Sequence, residues 1–170
     1  DAGQASIALD HYRQSLAINP DSAERSASLN NMGLIEADRG NLTMAAQLIE
    51  SAITINRRYG QFHHLGKHLM NLGNLYRGFH RLEEAQTLLD EGAILVNKAD
   101  DRFWIAVSHR LAAWLAMDRG RTDEAIDRLE RAIRDYAQAG APQEEAAAQA
   151  ELAQLKINAR NRCGNPPGAC

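Results

Sequence analysis

The chain contains no cysteine before Cys163, and its only other cysteine is Cys170. A chain body without disulfides is typical of a reducing compartment, so we expect a cytoplasmic protein. Both cysteines lie in residues 162–170, whose prolines and glycines cannot continue a helix. We predict a flexible tail with free thiols there, and a small loop closed by a Cys163–Cys170 disulfide is the alternative.

The sequence also lacks a basic excess, a long apolar run and many aromatic residues. Its formal net charge is −3, which argues against nucleic-acid binding because that requires a basic surface. The chain contains no run of roughly 18 apolar residues, so the sequence predicts no membrane-spanning helix. Aromatic residues make up only 5% of the chain and alanine supplies much of its apolar content. This composition favours close helix packing over a large apolar pocket.

No pattern in the chain predicts catalysis or a bound cofactor. We find no nucleophile with a base partner and no paired carboxylates beyond ordinary helix-surface charges. His64 and His68 lie one helical turn apart, a spacing that can hold a metal. No third ligand is evident near them, so we predict no metal site and no enzyme.

Small residues instead recur at a fixed interval. One series lies at steps of forty residues: Gly33, Gly73, Ala113 and Ala153. Two more series keep steps of 37, 40 and 40: Ala8, Ala45, Ala85, Ala125 and Ser15, Ala52, Gly92, Ala132. A turn separates the first and second series, at residues 38–40 and 118–120, which end in glycine, with 78–80 as an exception that ends in His80. The pattern predicts an internal repeat of two helices.

This repeat resembles the tetratricopeptide repeat, an antiparallel helix pair in which small residues allow close approach. The residues that carry the resemblance are Leu69, Leu72, Gly73 and Tyr76 in one helix and Ala85, Leu89 and Gly92 in the next. The usual period of this family is about 34 residues. The longer period of forty residues is similar to that of kinesin light chains, mitotic-spindle scaffolds and maltose-regulator-type activators. The resemblance implies an all-α, right-handed superhelical solenoid of about eight antiparallel helices.

The predicted solenoid covers residues 1–161. It comprises a truncated first repeat, three full repeats and a polar helix that caps the carboxyl end, followed by the tail at 162–170. Pro20 is expected to stop the first helix. Asp100 or Asp101 is expected to cap the helix that follows it, and Thr122 to cap the next.

The resemblance implies that the first helix of each repeat lines a concave groove. Asparagine is unfavourable inside helices, so a cluster of asparagines on two such helices indicates a function. A primary amide both donates and accepts, and can therefore bind a peptide backbone. The alternative is that these amides bond to adjacent helices or face water. The predicted groove residues are Asn30, Asn31, Lys67, Asn71, Asn74, Arg77, Arg110 and Trp114.

The cations of this set favour a partner segment with a carboxylate or acidic side chains. We therefore expect a protein-interaction module that binds a peptide or helical segment of a partner protein. The alternative is a ligand-sensing or self-association region of a larger bacterial regulator, for which a concentration-dependent homodimer would be the sign. No nucleic-acid or membrane partner is expected.

Overall fold

The computed structural model describes residues 2–18 and 24–163, and no strand occurs in these two ranges. They contain eight helices: α1 Ala2–Ile18, α2 Arg25–Asp38, α3 Leu42–Tyr59, α4 Phe62–Gly78, α5 Leu82–Lys98, α6 Arg102–Asp118, α7 Thr122–Ala139 and α8 Pro142–Cys163. The all-α prediction is confirmed. Pro20, residues 164–170 of the predicted tail and the proposed cysteine pairing lie outside the described part.

Six turns of one form join α2 to α8. Each contains a residue with positive φ: Gly40, Gly60, His80, Asp100, Gly120 and Gly140. In the first of them, the Gly40 N–H donates to the Ala37 carbonyl (2.9 Å) and the Asn41 N–H to the Glu36 carbonyl (2.8 Å). The other five repeat this Schellman pattern. His80, with φ of 58°, therefore takes the place of glycine in the turn that breaks the sequence pattern.

These turns also decide which residue caps each following helix. The predicted cap at Asp101 is confirmed, because its Oδ1 accepts the Trp104 N–H at 3.2 Å. The predicted cap at Thr122 is wrong, because Thr122 is the first residue of α7 and Arg121 precedes it without a side-chain cap. Arg121 follows the positive-φ Gly120 and is the N-cap residue of α7, and its carbonyl accepts the Ala125 N–H at 3.0 Å.

The chain divides into two compact units, Asp1–Leu95 and Val96–Cys170, with the boundary inside α5. The core of the first unit joins α3 and α4, where Ile49, Ile53, Leu65, Leu69 and Leu72 form one buried cluster. In the second unit, Ala106, Ala132, Tyr136 and Ala148 bring α6, α7 and α8 together. The assignment of residues 1–161 to a single solenoid stays a prediction.

Glycines mark the closest helix contacts of the first unit. A Cβ added to Gly92 would lie 2.6 Å from Met70 Cγ and 2.8 Å from the Gly66 carbonyl oxygen. A Cβ on Gly33 would lie 2.6 Å from Ile49 Cγ1 and 3.0 Å from the Ala45 carbonyl oxygen. Both glycines belong to the small-residue series that the sequence predicts. The repeat therefore marks points where one helix lies against the backbone of another.

A buried polar pair joins α3 to α4 beside this core. The Asn56 amide lies 2.8 Å from His68 Nδ1, and both residues are buried. Burial, followed by the charges of His64 and Lys67, lowers the pKa of His68 to about 4. The imidazole is therefore neutral in the folded chain at physiological pH.

None of the described helices combines the length and the apolar character that crossing a membrane requires.

We expect Gly92→Ala to lower the free energy of unfolding by about 1–3 kcal/mol, because the added methyl group meets backbone atoms that cannot rotate away. Gly78→Ala is the matched control, since a Cβ there meets nothing within 4 Å. Urea unfolding followed by far-UV circular dichroism measures both. Equal midpoints for the two variants would contradict the close contact at Gly92.

We expect the chain to lose stability as pH falls from 6.5 towards 4. In this window the unfolded chain binds a proton at His68, with an ordinary pKa of 6.5, whereas the folded chain does not until about 4. The difference corresponds to about 3 kcal/mol at most. His68→Gln should remove most of the slope, whereas His80→Asn, at an exposed histidine, should retain it. Melting temperatures across this window test the prediction, and an unchanged slope in His68→Gln would contradict it.

Candidate functional site

The predicted groove residues lie on three helices. Asn30 and Asn31 belong to α2, and four others belong to α4: Lys67, Asn71, Asn74 and Arg77. These six lie in the first unit. Arg110 and Trp114 belong to α6 in the second unit. We therefore describe the two groups separately.

The first group contains a chain of hydrogen-bonded asparagines. Asn71 Nδ2 donates to Asn30 Oδ1 (3.0 Å), and Asn30 Nδ2 donates to Asn31 Oδ1 (3.4 Å). Asn31 Nδ2 then donates to the hydroxyl oxygen of Tyr12 (3.1 Å). The amides of Asn71 and Asn31 thus bond to adjacent helices, as the alternative to peptide binding predicts, and the chain connects α4, α2 and α1.

The members of this chain differ in their access to solvent. Asn30 is 5% exposed, whereas Asn31 and Asn71 are half-buried. Each bond uses one of the two N–H groups of an amide, and Asn71 accepts from no other member of the chain. Asn30 is therefore a buried link, while Asn71 is an accessible end that has both an N–H and a carbonyl oxygen beyond its bond to Asn30.

The rest of α4 supplies a second amide and positive charge. Arg77 Nε donates to Asn74 Oδ1 at 3.1 Å, which holds a guanidinium beside an amide on one helix turn. Lys67 is half-buried one turn before Asn71. Its charge adds to burial and to the charge of His63 in lowering the pKa of His64. Lys67 and Arg77 therefore place two positive charges on α4, ten residues apart.

In the second unit, α6 binds a carboxylate of α8. Arg110 donates to both oxygens of Glu151, with Nε at 3.2 Å from Oε2. Trp114 Nε1 donates to the same Oε2 at 2.9 Å, and the Arg110 guanidinium lies 4.9 Å from the Trp114 ring centroid. The bond to Glu151 is the largest of the influences that raise the pKa of Arg110. Two predicted groove residues thus hold one carboxylate.

Sequence reasoning missed two members of these networks, Tyr12 and Glu151. Glu151 lies on α8, the helix for which the sequence predicts only a polar cap at the carboxyl end. A signal for it existed, because Arg110 and Glu151 are 41 residues apart, as are Asn30 and Asn71. In both units, therefore, the bonded residues of two neighbouring first helices are separated by one repeat plus one residue. The identity of the atoms that meet there depends on side-chain length, which the spacing alone does not give.

In the described residues, no group of three or more histidine, cysteine, aspartate or glutamate side chains lies close enough to hold an ion. His64 and His68 have ring centroids 6.4 Å apart, and His68 is bonded to Asn56 instead.

Several solved structures share the fold of this chain at low sequence identity. BtubC (BKLC) from P. vanneervenii superposes with a TM-score of 0.70 at 16% identity, over 99% of this chain and 80% of that chain. Nearly identical TPR-like repeats assigned to a kinesin light chain of Podosopora anserina give a TM-score of 0.68 at 21% identity, over 95% and 82% of the two chains. A variant of those repeats gives 0.69 at 22% identity, over 95% and 81%.

The sequence itself matches a family description. No curated protein matches the chain by sequence. The family profile described as tetratricopeptide repeat matches residues 24–93 and, in a second overlapping match, residues 64–138. These matches include five of the six turns and nine of the twelve residues in the small-residue series, and they confirm the resemblance inferred from the spacing. The chain belongs to the tetratricopeptide repeat family.

Proposed function

We propose that the chain is a protein-interaction module that binds a peptide or helical segment of a partner protein. Tetratricopeptide repeats are generally protein-interaction scaffolds, which gives the class of function. The observation that carries the proposal is the asparagine chain, in which the buried Asn30 supports the accessible Asn71. Asn71, Asn74 and Asn31 are the proposed peptide contacts.

The amides suit a partner's backbone because they offer donors and acceptors at once. A buried amide left without hydrogen bonds costs about 1–3 kcal/mol, and the bonds within the chain remove that cost for Asn30. Asn71 keeps further bonding capacity and is only half-buried. Asn30 is therefore a positioning residue in this proposal, while Asn71 and Asn74 meet the ligand.

Charge favours an acidic segment. Lys67 and Arg77 place positive charge on the helix that carries Asn71 and Asn74. In the second unit, Arg110 and Trp114 bind the carboxylate of Glu151, so this pair has the geometry that an acidic side chain of a partner would need. We propose that Arg110 and Trp114 contact acidic groups of the partner by exchange with Glu151.

The remaining parts of the proposal follow from composition and family. The net charge of −3 favours protein over nucleic acid as the partner. We propose a cytoplasmic scaffold without catalytic activity, since members of the family typically act as scaffolds. A homodimer would be compatible with this role and is measured by sedimentation.

Asn71→Ala combined with Asn74→Ala should weaken peptide binding at least about tenfold, because two amide hydrogen bonds are lost at roughly 1 kcal/mol each. The ligand is selected from a random peptide library displayed on phage, and its affinity is measured by fluorescence anisotropy. Arg110→Gln should weaken acidic members of the selected set more than neutral ones.

The matched control is Asn158→Ala, which removes an exposed amide from α8. The control should bind like the original chain, and circular dichroism should show all variants to be helical. Unchanged affinity in the double variant, with its helices intact, would remove the asparagines from the proposed function.

A further inference from the structure

A polar pair recurs between the second helix of one repeat and the first helix of the next. Tyr76 donates to Glu50 at 2.6 Å, and Lys156 donates to Glu130 at 2.8 Å. In both pairs the residues are 26 apart. The partners stand at the same places relative to the small-residue series, five residues after Ala45 or Ala125 and three after Gly73 or Ala153.

The same places in the first repeat hold Arg13, five residues after Ala8, and Glu36, three after Gly33. Opposite charges at this position would be expected to bond, but each has another partner. Arg13 bonds to Asp10 on its own helix at 3.1 Å. Glu36 accepts from Asn41 at 2.6 Å and from Arg39 at 3.4 Å.

A cavity of about 540 Å³ is lined by both Arg13 and Glu36. Its apolar lining comes from the side chains of Met32, Leu42, Met44 and Leu48. Small-molecule sites generally occupy about 300–1,000 Å³ and combine apolar walls with a few polar groups. The low aromatic content of the sequence argues against a large apolar pocket. This cavity has apolar walls nevertheless, because methionine and leucine side chains form them.

The following repeat shows why the cavity is larger in the first. There, the pocket lined by Glu50, Tyr76 and Arg81 has about 380 Å³. The Tyr76 hydroxyl is bonded to Glu50, and the Arg81 guanidinium lies 4.1 Å from the centroid of the Tyr76 ring. An aromatic ring thus fills the position that Glu36 occupies in the first repeat, and the local charges neutralise one another.

The charges of the first cavity are incompletely matched. Glu36 is 9% exposed, and its one arginine contact is long. A buried carboxylate is ordinarily paired with a cation at shorter distance. The Arg13 side chain is 62% exposed, and its ion pair with Asp10 is a surface pair that contributes little. A ligand with an ammonium group beside Glu36 and a carboxylate beside Arg13 would give each of these side chains an ion-pair partner inside the cavity.

We propose that this cavity binds a small zwitterion with an apolar side chain, either a free amino acid or a dipeptide. Its ammonium group bonds to Glu36, its carboxylate bonds to Arg13, and its side chain lies against Met32, Met44 and Leu48. The site uses α1, α2 and α3 and none of the proposed peptide contacts. It is therefore independent of the proposed function.

Isothermal titration of the full chain with leucine and with dileucine tests this inference. N-acetylleucine lacks the ammonium and leucine amide lacks the carboxylate, so each should bind at least about tenfold more weakly than leucine. If dileucine binds more tightly than leucine, the site holds a dipeptide, and the reverse order assigns it to a free amino acid. Absence of binding by both zwitterions at millimolar concentration would overturn the proposal.

Substitutions of Arg13 and Glu36 test which charged group of the ligand each side chain binds. Arg13→Gln should make leucine and leucine amide bind alike, and Glu36→Gln should do the same for leucine and N-acetylleucine. Arg131→Gln is the matched control, because Arg131 pairs with Asp127 on its own helix as Arg13 does with Asp10. Arg13 lies at the surface, so its replacement keeps the test valid if Glu36→Gln unfolds. Unchanged discrimination in Arg13→Gln would contradict the assignment.

Discussion

The contact on which the rest depends is the approach of one helix to the backbone of another at a residue without a large side chain. Gly73 lies so close to α5 that a Cβ would be 3.0 Å from Leu89 and 3.2 Å from the Ala85 carbonyl oxygen. Ala45 and Ala85, members of the companion series, are fully buried. A contact this close leaves no room for a larger side chain, because protein interiors are packed with few voids.

The polar networks join the first helices of neighbouring repeats. In the first unit Asn71 of α4 bonds to Asn30 of α2, and in the second Glu151 of α8 bonds to Arg110 of α6, with 41 residues between the partners of each pair. The backbone relation is the same, but the chemistry differs because one position carries amides and the other carries opposite charges. A single repeated frame thus carries different polar contacts, and substitutions at a few positions change the chemistry of each contact.

Much of the fold could be predicted from the sequence because it follows from local rules. The forty-residue interval gave the helix pairs, and the glycines gave most turns. The exception at His80 and the misplaced cap at Thr122 arise because turn length, rather than residue preference, determines those positions. Glu151 and the space beside Glu36 could not be predicted, since they depend on how far individual side chains reach. Whether the predicted groove residues bind a peptide stays a prediction.

The central claim is that glycines of the repeat lie against neighbouring helices. The most direct measurement is nuclear Overhauser spectroscopy of the labelled chain, directed at the Hα protons of three glycines. The account predicts cross-peaks from Gly33 to Ile49, from Gly73 to Leu89 and from Gly92 to Met70. Their absence, in a chain whose helices are intact by chemical shift, would contradict it.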